Sequence, residues 1–236
     1  MKKYLALSIV TAILISCAFA DRPLITDNFG VTDSGHYQLE LSYNHDVPRD
    51  GTATYSLTNV RLKSGLMPNT DAWIEMPYYF GGYMGMGDAI IRAKWRFQKW
   101  SADEGLAARV DVKLTGGDQA SMTTGFNDFA YLLICSKRFG PLLTHWNLGY
   151  TDIGEAAGAT SANTIDYQAA VEYQIDDAKK VVAEIFGNSP QHTTSLNCQI
   201  GGTIKTAPNI TIDGGYIFGL NNYSTDIVNI GCTLTY

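Results

Sequence analysis

Strict alternation of apolar and polar residues, in short segments, constrains the fold of this chain more than any other feature of its sequence. One face of the last segment carries Val228, Ile230, Cys232, Leu234 and Tyr236. Its other face carries Asn229, Gly231, Thr233 and Thr235. Because successive side chains of a β-strand point to opposite faces, this period of two predicts strands. Turn-forming Gly, Asn, Asp and Pro separate the segments, so the pattern predicts an all-β fold.

The sets of side chains that share a face suggest a polar interior and an apolar exterior. In the first segment Gln38, Glu40, Ser42 and Asn44 alternate with Tyr and Leu residues. A later segment places Arg92, Lys94 and Arg96 opposite Ile91 and Trp95. Only 17% of residues are charged, whereas 45% are hydrophobic, and aromatic residues cluster where segments end. A membrane barrel has this inside-out arrangement, with an apolar wall and a polar lumen.

The spacing of the segments predicts a transmembrane antiparallel up-and-down β-barrel of about 12 strands. We place the strands near 36–45, 53–64, 71–80, 88–99, 105–115, 126–137, 141–151, 163–173, 179–187, 195–204, 209–218 and 225–236. Connections after even-numbered strands are short, and several after odd-numbered strands are longer. Short periplasmic turns and longer outer loops are typical of such barrels.

The first twenty residues have the pattern of a secretory signal peptide. Lys2 and Lys3 precede an apolar stretch that is too short to span a membrane, and Ala18-Phe19-Ala20 fits a cleavage site. We therefore predict a signal peptide at 1–20 and an outer-membrane barrel at 21–236. Residues 14–17 also fit a lipobox, which leaves lipidation at Cys17 as the alternative to cleavage after Ala20.

Charge and composition limit the partners of the exported chain. The net charge is −6, and it becomes more negative when Lys2 and Lys3 are removed, which argues against nucleic acid. Cys135, Cys198 and Cys232 are too widely spaced for a disulfide framework or a zinc site, and no cofactor is expected. The expected partners are outer-membrane lipid, a small solute and the barrel-assembly machinery, with aromatic Tyr236 as the insertion signal.

The inward positions supply the candidate functional residues. We predict that the lumen is lined by Glu40, Glu75, Arg92, Lys94, Arg96, Arg109, Asp111, Lys113, His145, Asn147, Glu172 and Glu184. Because an unpaired buried charge is costly, these residues are expected to pair, for example Lys94 with Asp111 across neighbouring strands. His145 and Asn147 share a face, but no serine follows at the spacing of barrel phospholipases, so no catalytic residue is assigned.

Several short motifs resemble one family of barrels. The segments are Arg22-Pro23-Leu24-Ile25-Thr26-Asp27, Gly35 to Glu40, Gly85-Met86-Gly87-Asp88 with Lys94-Trp95-Arg96-Phe97, His145 to Tyr150, Ala170-Val171-Glu172-Tyr173 and Ala183 to Gly187. In order and spacing they resemble the outer-membrane family named for the meta-pathway of phenol degradation. Leu114-Thr115-Gly116-Gly117 departs from that family's Leu-Pro-x-Gly stretch. The resemblance implies uptake or export of small, often aromatic compounds, and no enzyme.

The sequence thus favours a porin-like channel for small solutes, aromatic or anionic ones included. Three alternatives stay open: a barrel with a plugged lumen that binds partners through its outer loops, an outer-membrane enzyme, and a soluble secreted lipid-binding barrel. Twelve strands lie between the eight that side chains fill and the sixteen or more that leave a wide channel.

Overall fold

The structure, a computed structural model, describes residues 22–47, 55–81, 84–118, 125–154, 163–190, 194–222 and 224–236. The predicted signal peptide and the alternative lipidation site at Cys17 lie outside these ranges. Within the same ranges, no helix is both long and apolar enough to cross a membrane.

Strands make up most of the described chain. Their bounds are β1 (Tyr37–Val47), β2 (Tyr55–Met67), β3 (Thr70–Gly81), β4 (Gly85–Met86), β5 (Ala89–Lys99), β6 (Gly105–Leu114), β7 (Asp128–Phe139), β8 (Leu142–Asp152), β9 (Thr164–Gln174), β10 (Lys179–Pro190), β11 (Ser195–Ala207), β12 (Ile210–Gly219) and β13 (Asp226–Thr235). β4 is a two-residue strand on the edge of β3, so the described residues contain twelve long strands.

The long strands form a closed antiparallel barrel in which each strand pairs with its neighbours in sequence. β1 pairs with both β2 and β13, with Gln38 opposite Thr235, and this pairing closes the sheet. The prediction of a twelve-stranded up-and-down barrel is confirmed. The end that holds Tyr37, Thr235 and the short connections is called the turn end below, and the opposite end is the loop end.

Strand ends differ from the predicted ends by a few residues. β2 continues to Met67 and β11 to Ala207, both past the predicted positions. Each extension contains an irregularity of register, between Gly65 and Met67 and between Lys205 and Ala207, where the alternation that predicts a strand is broken. At the turn that follows β2, Asn69 adopts a positive φ of 67°, which asparagine tolerates better than most residues.

Polar side chains face the interior and apolar side chains face outward. Along β5, Lys94 is 0% exposed and the next residue, Trp95, is 58% exposed. The same contrast recurs around the barrel. The exposed outward residues include Tyr37, Leu133, Leu148, Ile200 and Ile230, and the buried inward ones include Gln38, Lys63, Glu184, Gln199 and Thr233. So wide an apolar exterior suits lipid and argues against the soluble lipid-binding alternative.

Aromatic pairs lie near both ends of the barrel. Tyr78 and Phe80 contact each other near the loop end of β3, and Tyr216 and Phe218 do so on β12. Near the turn end, Trp95 lies against Phe97, and Phe139 contacts Trp146. Aromatic rings at two heights are the arrangement that membrane interfaces favour.

Candidate functional site in the barrel lumen

The chain that precedes β1 runs inside the barrel. We call residues 22–34 the lumenal segment. Arg22 pairs with Asp213, the fourth residue of β12, at 3.2 Å, and the Pro23 carbonyl accepts a hydrogen bond from Gln199 of β11 at 2.8 Å. Near its other end, the Thr32 N–H donates to Asp71 at 2.7 Å, close to the turn end of β3. The segment therefore crosses the lumen at mid-height and descends to the turn end.

Glycines on the wall make room for the segment. A Cβ at Gly231 of β13 would collide with the guanidinium of Arg22. A Cβ at Gly201 of β11 would lie 3.1 Å from the Pro23 ring, closer than ordinary van der Waals contact. The small residues of β11 and β13 thus have a local role, since they let backbone and ring approach the wall.

Glu184 of β10 holds the backbone of the lumenal segment. Its carboxylate accepts hydrogen bonds from the N–H groups of Ile25 and Thr26, both at 2.8 Å, and from the Thr26 hydroxyl at 2.6 Å. Charge-assisted bonds of this kind are about twice as strong as neutral ones. A buried carboxylate without a cation is thus satisfied by three donors from one short stretch of chain.

Asp27 is the electrostatic centre of the segment. Its carboxylate lies 2.9 Å from the Lys94 ammonium and 2.8 Å from the Arg109 guanidinium. Its backbone N–H donates to Asn147 at 2.7 Å, and the Asn147 amide donates back to its carbonyl at 3.0 Å. Burial alone would raise the pKa of the Asp27 carboxyl, but the charges of Lys94, Arg109 and Lys63 outweigh burial and hold the pKa below its ordinary value of 3.8.

Phe29 fills the lumen nearer the turn end. Its ring is almost fully buried in a cluster with Ala107, Leu132 and Ile134. The Arg96 guanidinium lies over the ring, 5.8 Å from its centroid, within the range of a cation–π contact. This apolar plug occupies the part of the lumen below Asp27.

A network of ion pairs surrounds the segment at mid-height. Glu75 of β3 contacts Arg61 at 3.1 Å and Arg92 at 2.7 Å. Arg109 binds Asp111 through two nitrogens, at 2.8 and 2.9 Å, and Asp111 also lies 3.3 Å from Arg92. The guanidiniums of the mid-height wall are therefore neutralised by carboxylates from the same strand or an adjacent one.

His145 lies in a second polar group on the β7–β9 wall. Its Nδ1 is 2.7 Å from the Ser136 hydroxyl, and its Nε2 is 3.7 Å from a Glu172 oxygen. Sequence spacing did not reveal a serine beside His145, whereas β7 and β8 place Ser136 directly opposite it. The Ser136 hydroxyl accepts the Phe29 N–H at 3.0 Å and is fully buried, so the lumenal segment covers this hydroxyl.

A further ionic group lies at the loop end. Lys113 of β6 contacts Asp128 and lies 3.6 Å from Asp88. Asp88 also accepts hydrogen bonds from the N–H groups of Gly116 and Gly117, both at 3.0 Å. Residues 116 and 117 belong to the stretch that departs from the family pattern, and here their backbone binds the wall.

A cavity of about 490 Å³ opens between the lumenal segment and the loop end. Its floor is formed by residues 22–27, and its walls come from most of the strands. Arg61, Glu75, Arg92 and Arg109 reach it from one side, and Phe186 and Ile217 reach it from the other. Among the described residues, this cavity lies above the lumenal segment, and we call it the vestibule.

The predicted lumen residues all lie in strands of the barrel, in different environments. Lys94, Glu40, His145, Asn147, Glu172 and Glu184 are buried, whereas Arg96 reaches down to the turn, where it binds the Asn69 side chain. Their role in solute passage stays a prediction. The expected Lys94–Asp111 pair was wrong: Lys94 lies opposite Arg109 and pairs with Asp27, and Asp111 lies opposite Arg92.

Several inward residues were missed. Arg61 and Lys63 of β2 pair with carboxylates of Glu40, Glu75 and Asp71, and their alternation with apolar neighbours was a usable signal. The lumenal segment had no such signal, because residues 22–34 show no period of two. Among the described cysteines, Cys135, Cys198 and Cys232 are free.

Comparison with known proteins locates the fold. No family model matches the chain, and no curated protein matches its sequence. The COG4313 outer-membrane channel from Pseudomonas putida F1 superposes with a TM-score of 0.67 at 12% identity, over 88% of this chain and 98% of that one.

Two porins are also similar. The KdgM porin in complex with disordered oligogalacturonate gives a TM-score of 0.62 at 7% identity, over 84% of this chain and 99% of that one. The NanC porin gives 0.59 at 13% identity, over 84% and 98%. At these identities the likeness concerns the fold. The chain therefore has the closed twelve-stranded architecture shared by outer-membrane channels and porins.

Proposed function

We propose that this chain is an outer-membrane channel for small solutes whose lumen is narrowed by the lumenal segment. The observation that carries the proposal is the cavity of about 490 Å³ within a barrel that has an apolar exterior. A monomeric solute fits such a volume, and a folded protein does not. The likeness to channels and porins supports the proposal.

Export, membrane location and assembly belong to the same proposal. A signal peptide at 1–20 would carry the chain out of the cytoplasm, and Tyr236, whose backbone pairs with Tyr37 at the barrel seam, would present the terminal strand to the assembly machinery. No catalytic step is proposed. The Ser136 hydroxyl is buried beneath Phe29 and does not line the cavity.

The solute class follows from the lumen charges. The sequence predicts that Arg92, Lys94, Arg96 and Arg109 favour anions. Carboxylates neutralise Arg92, Lys94 and Arg109, and this pairing argues for weak charge selectivity instead. Aromatic solutes, implied by the resemblance to the phenol meta-pathway family, stay within the proposal because Phe186 and Ile217 line the cavity.

Single-channel conductance in a planar bilayer tests the proposal. The protein refolded from residue 21 onward should give discrete current steps, with a reversal potential near zero in a salt gradient. A strong anion preference would contradict the expectation of weak charge selectivity and would support the sequence-based prediction that the basic lumen residues favour anions.

The second candidate function is a plugged barrel that binds partners through its loops. The observation that favours it is the number of hydrogen bonds and ion pairs that hold residues 22–32. Silence in the bilayer from a protein shown to be folded by heat-modifiable gel migration would support this candidate and overturn the channel.

A further inference from the structure

The cavity above the lumenal segment is lined by amide side chains to an unusual degree. They are Asn44, Asn59, Gln168, Asn197 and Asn229, contributed by five different strands. An amide offers both a donor and an acceptor, as does a hydroxyl group. Amides directed at a cavity from several sides therefore suit a ligand that carries many hydroxyls.

Some of these amides have a carbonyl oxygen that no described residue bonds. Within the described part of the chain, the side-chain carbonyl oxygens of Asn59, Gln168 and Asn229 are buried and accept no hydrogen bond. The indole N–H of Trp73, which also lines the cavity, donates none. Asn229 and Trp73 are only 3% and 4% exposed. These four atoms are buried beside the cavity, so a rotation of the side chain would be needed to bring each one to a ligand hydroxyl and supply the missing bond.

The charges around the cavity do not call for a charged ligand. Four guanidiniums line the cavity, those of Arg22, Arg61, Arg92 and Arg109, together with the carboxylates of Asp27 and Glu75. Each of these guanidiniums is paired with a carboxylate: Arg22 with Asp213, Arg61 with Glu40 and Glu75, Arg92 with Glu75 and Asp111, and Arg109 with Asp27 and Asp111. An anionic solute would have to displace a fixed carboxylate, and a neutral one would not.

Apolar side chains complete the lining. Phe186 of β10, Ile217 of β12 and Ile227 of β13 lie on one part of the wall, with Leu57 of β2. A sugar ring presents C–H groups on its face and hydroxyls around its rim, so it matches a lining of this mixed kind. A flat aromatic ring would cover the apolar patch but would leave the amides unpaired.

We propose that the cavity is a binding site for a neutral polyhydroxylated solute, of the size of a mono- or disaccharide. The inference rests on the proposed channel and names the solute class that its vestibule holds. The volume of about 490 Å³ lies in the usual range of small-molecule sites.

Current block by sucrose tests the inference. Sucrose, sodium glucuronate and sodium benzoate are added in turn to open channels of the refolded protein, and the half-blocking concentration of each is measured. Sucrose should block at a concentration at least tenfold lower than either anion. Equal or stronger block by glucuronate or benzoate would overturn the inference while the conductance itself upholds the channel.

Two variants assign the block to the cavity. Gln168→Met keeps the side-chain length but removes the amide, so the half-blocking concentration of sucrose should rise about three- to tenfold, the loss of one hydrogen bond. Gln98→Met makes the same change at an exposed position near the turn end and should leave the block unchanged. Equal block in Gln168→Met and the parent protein would place the sugar elsewhere.

Calorimetric titration separates failure of the site from failure of the channel. Sucrose is titrated into the folded protein in detergent micelles, where no current is needed. The parent protein should give a saturable binding heat, and Gln168→Met should bind sucrose more weakly. If this result comes from a protein that gives no current steps in the bilayer, the binding site is supported and the channel is refuted. Absence of saturable heat in the folded protein would overturn the site.

Discussion

Replacement of Asp27 by asparagine removes the carboxylate that neutralises the buried ammonium of Lys94. Arg109 keeps its two bonds to Asp111, so Lys94, which is fully buried, bears most of the loss. The Asn28 carbonyl, 3.2 Å from the ammonium, offers a dipole but no charge. The substitution therefore leaves a cation in the lumen without a counter-ion as long as the lumenal segment stays docked.

The expected loss of docking free energy is large for a substitution that changes one oxygen to an NH₂ group. Removing one partner of a buried ion pair costs about 3–5 kcal/mol. We expect the lower end, about 3 kcal/mol, because asparagine retains one oxygen that can accept from Lys94. Release of the segment would let water reach Lys94. The substitution therefore reduces the free energy of docking of the lumenal segment and leaves the stability of the barrel unchanged. The ratio of undocked to docked protein should rise on the order of a hundredfold.

Amide hydrogen exchange in detergent micelles measures this ratio. The N–H groups of Ile25, Thr26 and Phe29 bond to the barrel wall, so their protection reports docking. It should fall on the order of a hundredfold in Asp27→Asn and stay unchanged in Asp33→Asn, the matched removal of an exposed charge in the same segment. A change below about threefold, or an equal loss of protection in the strands, would refute the reasoning.

Other predictions concern pH, the Glu184 contact and the outer wall. Docking depresses the pKa of Asp27, so the stabilisation that Asp27 adds is fully present above the ordinary value of 3.8 and is lost as pH falls through the docked pKa. The ratio of amide protection in the parent protein to that in Asp27→Asn, which cancels the titration of other carboxyls such as Glu184, should therefore be constant above pH 3.8 and approach one at lower pH. Glu184→Gln turns an NH₂ toward donors and should weaken docking by about 1.5–3 kcal/mol in the same exchange measurement, with strand protection unchanged. Leu133→Arg, on the outward face in the middle of β7, should destabilise the barrel in lipid vesicles by about 2–4 kcal/mol, and Phe129→Arg near the loop end by at most about 1 kcal/mol; equal losses would contradict a lipid-facing wall.

Local patterns were enough to predict the barrel wall. The alternation of Lys94 with Trp95 identifies which side chain points inward because a strand in a closed sheet has only two faces. The same patterns cannot give the pairing of inward charges. A shift of register between Arg96 and Gln98 moves the pairs from Ala89 to Arg96 by one residue relative to those at the turn, and Lys94 consequently lies opposite Arg109.

Local sequence patterns could not predict that residues 22–34 lie in the lumen or which wall residues they contact. Ile25 and Glu184 are 159 residues apart, and Asp27 and Asn147 are 120 apart. Contacts so distant leave no local period, and each involves only one or two bonds between backbone and side chain. The pairing of Ser136 with His145 was missed for a related reason, since the two residues are opposite across a hairpin and the sequence search considered spacing along one strand.

The position of Arg22 inside the barrel restricts how the protein can be tagged. Any peptide fused ahead of Arg22 begins inside the lumen beside Asp213, and at about 3.5 Å per residue its first residues would occupy the vestibule. Such a fusion would either fill the cavity or force the lumenal segment out, and both would change the current. A fusion at Tyr236 would disturb the seam where that residue bonds to Tyr37. An affinity handle for conductance work therefore belongs in a connection at the loop end.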